Sequence, residues 1–152
     1  MAINVIFGGG SVKKIITPLI VAVCIFTLVA LRPRNLTDKD DIISLFNKKQ
    51  EIFIEAVSSG NYETAEKVRG IHKITVYEAP DCVEFMCGGS GFGPSTHYYG
   101  FYYSEKDDLC AVFGGPELVE HGDGWLYEEE DGDNRYYVEP LGDHFFYYEA
   151  HF

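Results

Sequence analysis

The hydrophobic pattern of this 152-residue chain falls into three successive regimes. Residues 15–31, IITPLIVAVCIFTLVAL, carry no charge. At 1.5 Å per residue a helix of that length spans about 26 Å, slightly under the roughly 30 Å of a bilayer's hydrocarbon core. Lys13, Lys14, Arg32 and Arg34 bracket the run, and their long stems can snorkel to close the gap. Pro18 sits in the first turn, where proline costs little. A helix that is apolar on every face between paired basic residues suits lipid better than the core of a soluble domain. Residues 15–31 are therefore expected to be a transmembrane anchor behind a tail of residues 1–14.

Beyond Pro33 the spacing becomes that of an amphipathic helix. Ile42, Leu45, Phe46, Ile52, Phe53, Ala56 and Val57 fall on one side, Lys48, Lys49, Gln50 and Glu55 on the other, and Ser58-Ser59-Gly60-Asn61 ends it. Thr37 stands three residues before Asp40 and makes a capping-box-like start. Residues 61–69 are candidates for a short second helix.

After Gly70 the period shifts to two. Short runs rich in β-branched and aromatic residues predict strands at 71–78, 82–87, 96–104, 109–113, 125–129, 135–139 and 144–151. Residues 104–108 and 130–134 are the natural hairpin turns. The expected fold class is α+β: an N-terminal transmembrane helix, then an amphipathic helix packed on a curved antiparallel β-meander, the domain filling residues 36–152.

Charge divides the chain in the same place. The first 36 residues hold four basic residues and no acid, while the remainder holds eight basic and 24 acidic residues, a net charge of −16. Such a surface repels a phosphate backbone, so nucleic acid is not an expected partner. Cleavage of the apolar run as a secretory signal is not expected, because Leu28 spoils the small-residue rule for a cut after Ala30. Val21-Ala22-Val23-Cys24 fails as a lipoprotein box, since Val23 holds the small-residue position and the apolar run continues past Cys24. Flanking charges are almost balanced, yet a short tail before a first helix favours the N-terminus inside and the domain outside. The expected location is thus the cell membrane, with an extracytoplasmic domain.

Candidate chemistry is sparse. Fifteen aromatics lie between Tyr98 and Phe152, many adjacent, and neighbours in a strand face opposite ways. Each pair therefore puts an aromatic on both sides of the sheet, and one helix covers only one. Cross-strand aromatic packing, with the tyrosine hydroxyls reaching solvent, explains such pairs structurally. A binding face of rigid tyrosines beside carboxylates is the functional alternative, and Tyr98, Tyr102, Tyr103, Trp125, Tyr136 and Tyr147 are its candidate ligand-binding residues. Gly88-Gly89-Ser90-Gly91-Phe92-Gly93-Pro94 lacks the spacing of a nucleotide loop and is expected to be a hairpin loop.

His97, His151 and Glu149 could converge on one strand face, and His121 stands beside Glu120 and Asp123. The acidic turn around Glu128, Glu129, Glu130, Asp131 and Asp133 lacks the ligand order of an EF-hand. No metal or cofactor is expected from these patterns. Cys82 and Cys87 are five apart and face opposite ways in a regular strand, which argues against joining them; Cys110 is the third cysteine of the domain.

The segments Gly100-Phe101-Tyr102-Tyr103-Ser104, Gly132-Asp133-Asn134-Arg135-Tyr136-Tyr137 and Phe145-Phe146-Tyr147-Tyr148-Glu149-Ala150 together resemble uncharacterised small membrane-anchored proteins of Gram-positive bacteria. The resemblance covers about the last 60 residues and implies a cell-surface setting, with no activity to carry over. Function is accordingly expected to be that of a membrane-tethered binding or accessory domain for a protein, peptide, glycan or other envelope ligand. Two alternatives stand beside it: a small hydrolase or metal-dependent enzyme built on the histidines, and an immunity or inhibitor protein whose acidity neutralises a basic toxin.

Overall fold

A computed structural model describes residues 34–79, 81–92, 95–113 and 117–152. The expected tail and anchor, residues 1–31, lie outside the described residues. Among the described residues no helix is long and apolar enough to cross a membrane.

Helix α1 (Lys39–Ser59) forms where the helical spacing predicts it and buries Ile42, Phe46, Phe53 and Ala56. Its N-cap is Asp38, one residue later than expected: Asp38 Oδ1 accepts from the Asp41 amide at 3.1 Å. Just ahead of the cap, the Leu36 amide donates to the Cys87 carbonyl at 3.0 Å, and Asp38 is the extended residue that precedes the first turn. The carboxylate cap also places negative charge at the positive helix end, reinforced by Asp40 and Asp41. Gly60 ends the helix in the left-handed conformation (φ 69°) and donates to the Ala56 carbonyl. A short helix α2 (Glu63–Glu66) follows.

Seven strands then form one antiparallel sheet: β1 (Lys73–Glu78), β2 (Asp81–Phe92), β3 (Ser95–Ser104), β4 (Val119–His121), β5 (Gly124–Glu128), β6 (Arg135–Gly142) and β7 (Phe145–His151). The order β1-β2-β3-β7-β6-β5-β4 is two meanders joined side by side, not one. After β3 the chain crosses to the far edge and returns, so β7 pairs with β3, for example Phe101 with Tyr147.

Three expectations are corrected here. Residues 109–113 form turns, not a strand: Asp108 Oδ1 accepts from the Cys110 amide at 2.9 Å and Ser104 Oγ from the Asp108 amide at 3.1 Å. These side-chain bonds offer the backbone an alternative to a ladder. The short, exposed edge strand β4 had no hydrophobic signal. Most of the glycine-rich stretch is strand, with Gly88–Phe92 paired to Ser95–Tyr99 beyond a bulge between Met86 and Gly88. Gly88 is required there, because a Cβ would lie 2.0 Å from the Leu36 carbonyl oxygen.

Two cores result. On one face, Phe46 and Phe53 of α1 pack on Phe85, Phe101 and Phe145, with Phe53 edge-on to Phe101 at 4.8 Å. On the other, Tyr102, Tyr136, Val138, Phe146 and Tyr148 are covered by the crossover after β3, which supplies Leu109, Ala111, Val112 and Phe113. Phe113 lies 5.2 Å from Tyr136 and 5.3 Å from Tyr148. Burying each such ring contributes roughly 1.5–3 kcal/mol. The helix covers one aromatic face and the apolar run at 109–113 covers the other.

Candidate functional site

The six candidate aromatics divide between the two faces. Tyr102 and Tyr136 are buried under the crossover, their hydroxyls donating to the carbonyls of Asp108 and Leu109 at 3.0 Å each. Tyr147 is buried on the helix face, where its hydroxyl donates to Glu149 Oε2 at 3.3 Å. Burial above all holds all three hydroxyls well above the ordinary tyrosine range, so they stay protonated and neutral. These three are core. Tyr98 and Trp125 are half-buried at the edge of the crossover side. Tyr103 is half-buried on the helix face, with its ring against Phe145 at 5.2 Å and His144 at 6.2 Å.

The histidines assemble in part. His97 and His151 are cross-strand partners with ring centroids 4.2 Å apart, and Arg135 faces His151 from β6. Glu149 shares their face one step along β7. Burial, then the neighbouring His97, lowers the pKa of His151, while Glu149 opposes the shift. His97 Nδ1 and His151 Nε2 are buried without a hydrogen-bond partner. His121 stands exposed on β4, its ring 6.4 Å from Tyr137. Among the described residues no group of three His, Cys, Asp or Glu side chains is placed to hold a metal ion.

The two buried cysteines are poor nucleophiles. Cys82 belongs to the crossover-side core and Cys87 to the helix side, on opposite faces. Burial raises the Cys82 thiol to about 11 and the Cys87 thiol further.

Tyr98 lines an open cavity of about 410 Å³ with His72, Met86, Ser90 and His97, and a second cavity with an aromatic wall and polar groups lies where the C-terminal half of α1 meets the β6–β7 turn. Ile54, Val57, Tyr103 and Phe145 form its walls, Ser58, Asp143 and His144 its polar rim, and its volume is about 370 Å³. The turn is built from unusual backbone. Asp143 (φ 51°) and His144 (φ 65°) are left-handed, as is Asp107 (φ 54°), and these are the non-glycine residues with positive φ among those described. That conformation costs about 1–2 kcal/mol for an ordinary L residue, with aspartate tolerating it best.

Three bonds hold the arrangement. Gln50 Nε2 donates to Asp143 Oδ2 at 2.9 Å, the Ser104 amide to the His144 carbonyl at 3.0 Å, and His144 Nδ1 lies 2.9 Å from Asp107 Oδ1. The His144–Asp107 pair is well exposed, which limits its own contribution to at most about 1 kcal/mol. Burial first, then the charges of Glu105, Asp81 and Asp107, raise the pKa of the Tyr103 hydroxyl. The site is thus an aromatic and aliphatic slot under a negative rim, a shape suited to holding a ligand.

Of this groove, sequence reasoning singled out Tyr103 alone. The dipeptide Asp143-His144 just ahead of Phe145 was a usable turn signal. Nothing local pointed to Asp107 or Gln50. In comparison with known proteins, the chain matches no family model, no curated protein and no solved structure.

Proposed function

We propose that this chain is a membrane-tethered, extracytoplasmic binding or accessory domain that engages a protein, peptide or envelope ligand. The observation that carries the reading is the groove beside Tyr103: most aromatics of both sheet faces are spent as core, and here a half-buried tyrosine lines a cavity with an acidic and polar rim. Its rim agrees in sign with the acidic domain as a whole, whose net charge from residue 37 onward is −16. Such a field speeds encounter with cationic partners and discourages anionic ones.

The uncharged run at 15–31 between Lys13-Lys14 and Arg32 supports the tether. Alkaline carbonate extraction of the full chain tests the tether, and protease accessibility of a reporter fused after Phe152 tests the outward orientation. Retention of envelope components by the full chain in nanodiscs tests binding. A chain that washes out of membranes, or one that retains nothing at physiological salt, contradicts the proposal.

A further inference from the structure

We infer that the groove beside Tyr103 takes a cationic side chain, an ammonium or guanidinium on an apolar stem, from a basic segment of a partner protein. The inference rests on the binding-domain reading and names what that domain holds. At about 370 Å³ the cavity lies at the low end of the roughly 300–1,000 Å³ typical of ligand pockets. That size accommodates a long side chain, not a whole cofactor. Ile54 and Val57, backed by the buried Phe145, offer the stem an apolar wall, and the half-buried Tyr103 ring lines the same cavity within reach of the charged head.

Charge selects the head group. No lysine or arginine lines the groove, and His144, the one lining side chain able to carry positive charge, is paired with Asp107. Asp143 sits at the mouth, and the charges of Glu105, Asp81 and Asp107 reach the Tyr103 hydroxyl. Asp143 on the lining and the acidic residues around Tyr103 oppose an anion in this slot. The fold already uses the same recognition internally: the Lys39 ammonium lies 5.1 Å from the Tyr137 ring centre and 5.8 Å from that of Tyr147 while pairing with Glu139. The groove likewise has a tyrosine and a carboxylate, Tyr103 and Asp143, on one lining, with no lysine or arginine among its lining residues.

The test uses the full chain in nanodiscs, labelled with 3-fluorotyrosine, with the Tyr103 resonance assigned through Tyr103→Phe. Three probes are titrated at physiological salt: acetyl-Leu-Lys-Lys-Leu-amide and its glutamine and glutamate analogues. The lysine peptide should move the Tyr103 resonance saturably and the glutamate peptide should leave it unmoved, with Asp143→Asn weakening the lysine peptide about three- to fivefold. Equal response to the lysine and glutamine peptides, or a Tyr103 resonance unmoved by the lysine peptide, overturns the inference. The two readings fail separately: if native chain and Asp143→Asn retain the same envelope partner equally, the groove is excluded and the binding domain stands. If the native chain retains none, both fall.

Discussion

The hydroxyl of Tyr148 on β7 donates to Glu84 Oε1 on β2 at 2.5 Å, reaching across the intervening strand β3. Tyr77 donates to the other oxygen of the same carboxylate at 3.0 Å. Glu84 is thereby a buried charge, 8% exposed, satisfied from two sides, and a buried carboxylate is tolerated only when so satisfied. Removing one donor strips a hydrogen bond to a charged group, worth about 1.5–3 kcal/mol. Tyr148→Phe should therefore lower unfolding free energy by about 2 kcal/mol in urea titration. A change within experimental error would show that this bond across β3 adds nothing to the stability of the sheet.

The two-core arrangement predicts that the crossover is structural. Phe53→Ala removes a ring buried against Phe85 and Phe101 and should cost about 3–5 kcal/mol. Phe113→Ala, on the half-buried crossover, should cost about 2 kcal/mol. If Phe113→Ala melts with the native protein, the second face is not closed by residues 109–113.

Much of this was legible in the chain itself, and the failures have physical causes. Ile42, Phe46, Phe53 and Ala56 repeat at helical spacing and are the residues that α1 buries. The paired aromatics showed that both faces needed cover. What covers the second face was hidden, because a five-residue apolar run reads equally as a strand or as a lid, and the Asp108 and Ser104 side-chain bonds decide for the lid. The groove was less legible still. Gln50 meets Asp143 across 93 residues and Asp107 meets His144 across 37, and no local pattern encodes such contacts.

Acid should loosen the His97–His151 end of the sheet. His151 has a lowered folded pKa, from burial first, then His97, with Arg135 adding and Glu149 opposing. Its neutral form is the one the fold prefers, so this stabilisation is complete above the ordinary value of 6.5 and is lost as pH falls from there through the lowered value. Thermal unfolding followed between pH 8 and pH 5 should show a decline that His151→Gln reduces. An unchanged slope in that variant would assign the acid sensitivity to other groups.

Base should act through the tyrosines. Burial, then Glu84, raises Tyr77 to about 12, and Tyr102, Tyr136, Tyr147 and Tyr148 are raised further, mainly by burial. A raised folded pKa gives stability that is complete below the ordinary value of 10.0 and lost as pH climbs above it. Ultraviolet titration near 295 nm should show these phenols ionising only as the circular dichroism signal collapses. Smooth ionisation of all 11 tyrosines near pH 10 in a folded chain would contradict their burial.

The account turns on the groove beside Tyr103 as the place where the domain meets a partner. Its most direct measurement is retention of envelope proteins by the full chain in nanodiscs at physiological salt, comparing the native protein with Tyr103→Ala and Asp143→Asn. The account predicts a retained partner that is basic, that elutes as salt rises, and that both substitutions release while the far-ultraviolet spectrum stays native. Retention undiminished in both folded variants would contradict it.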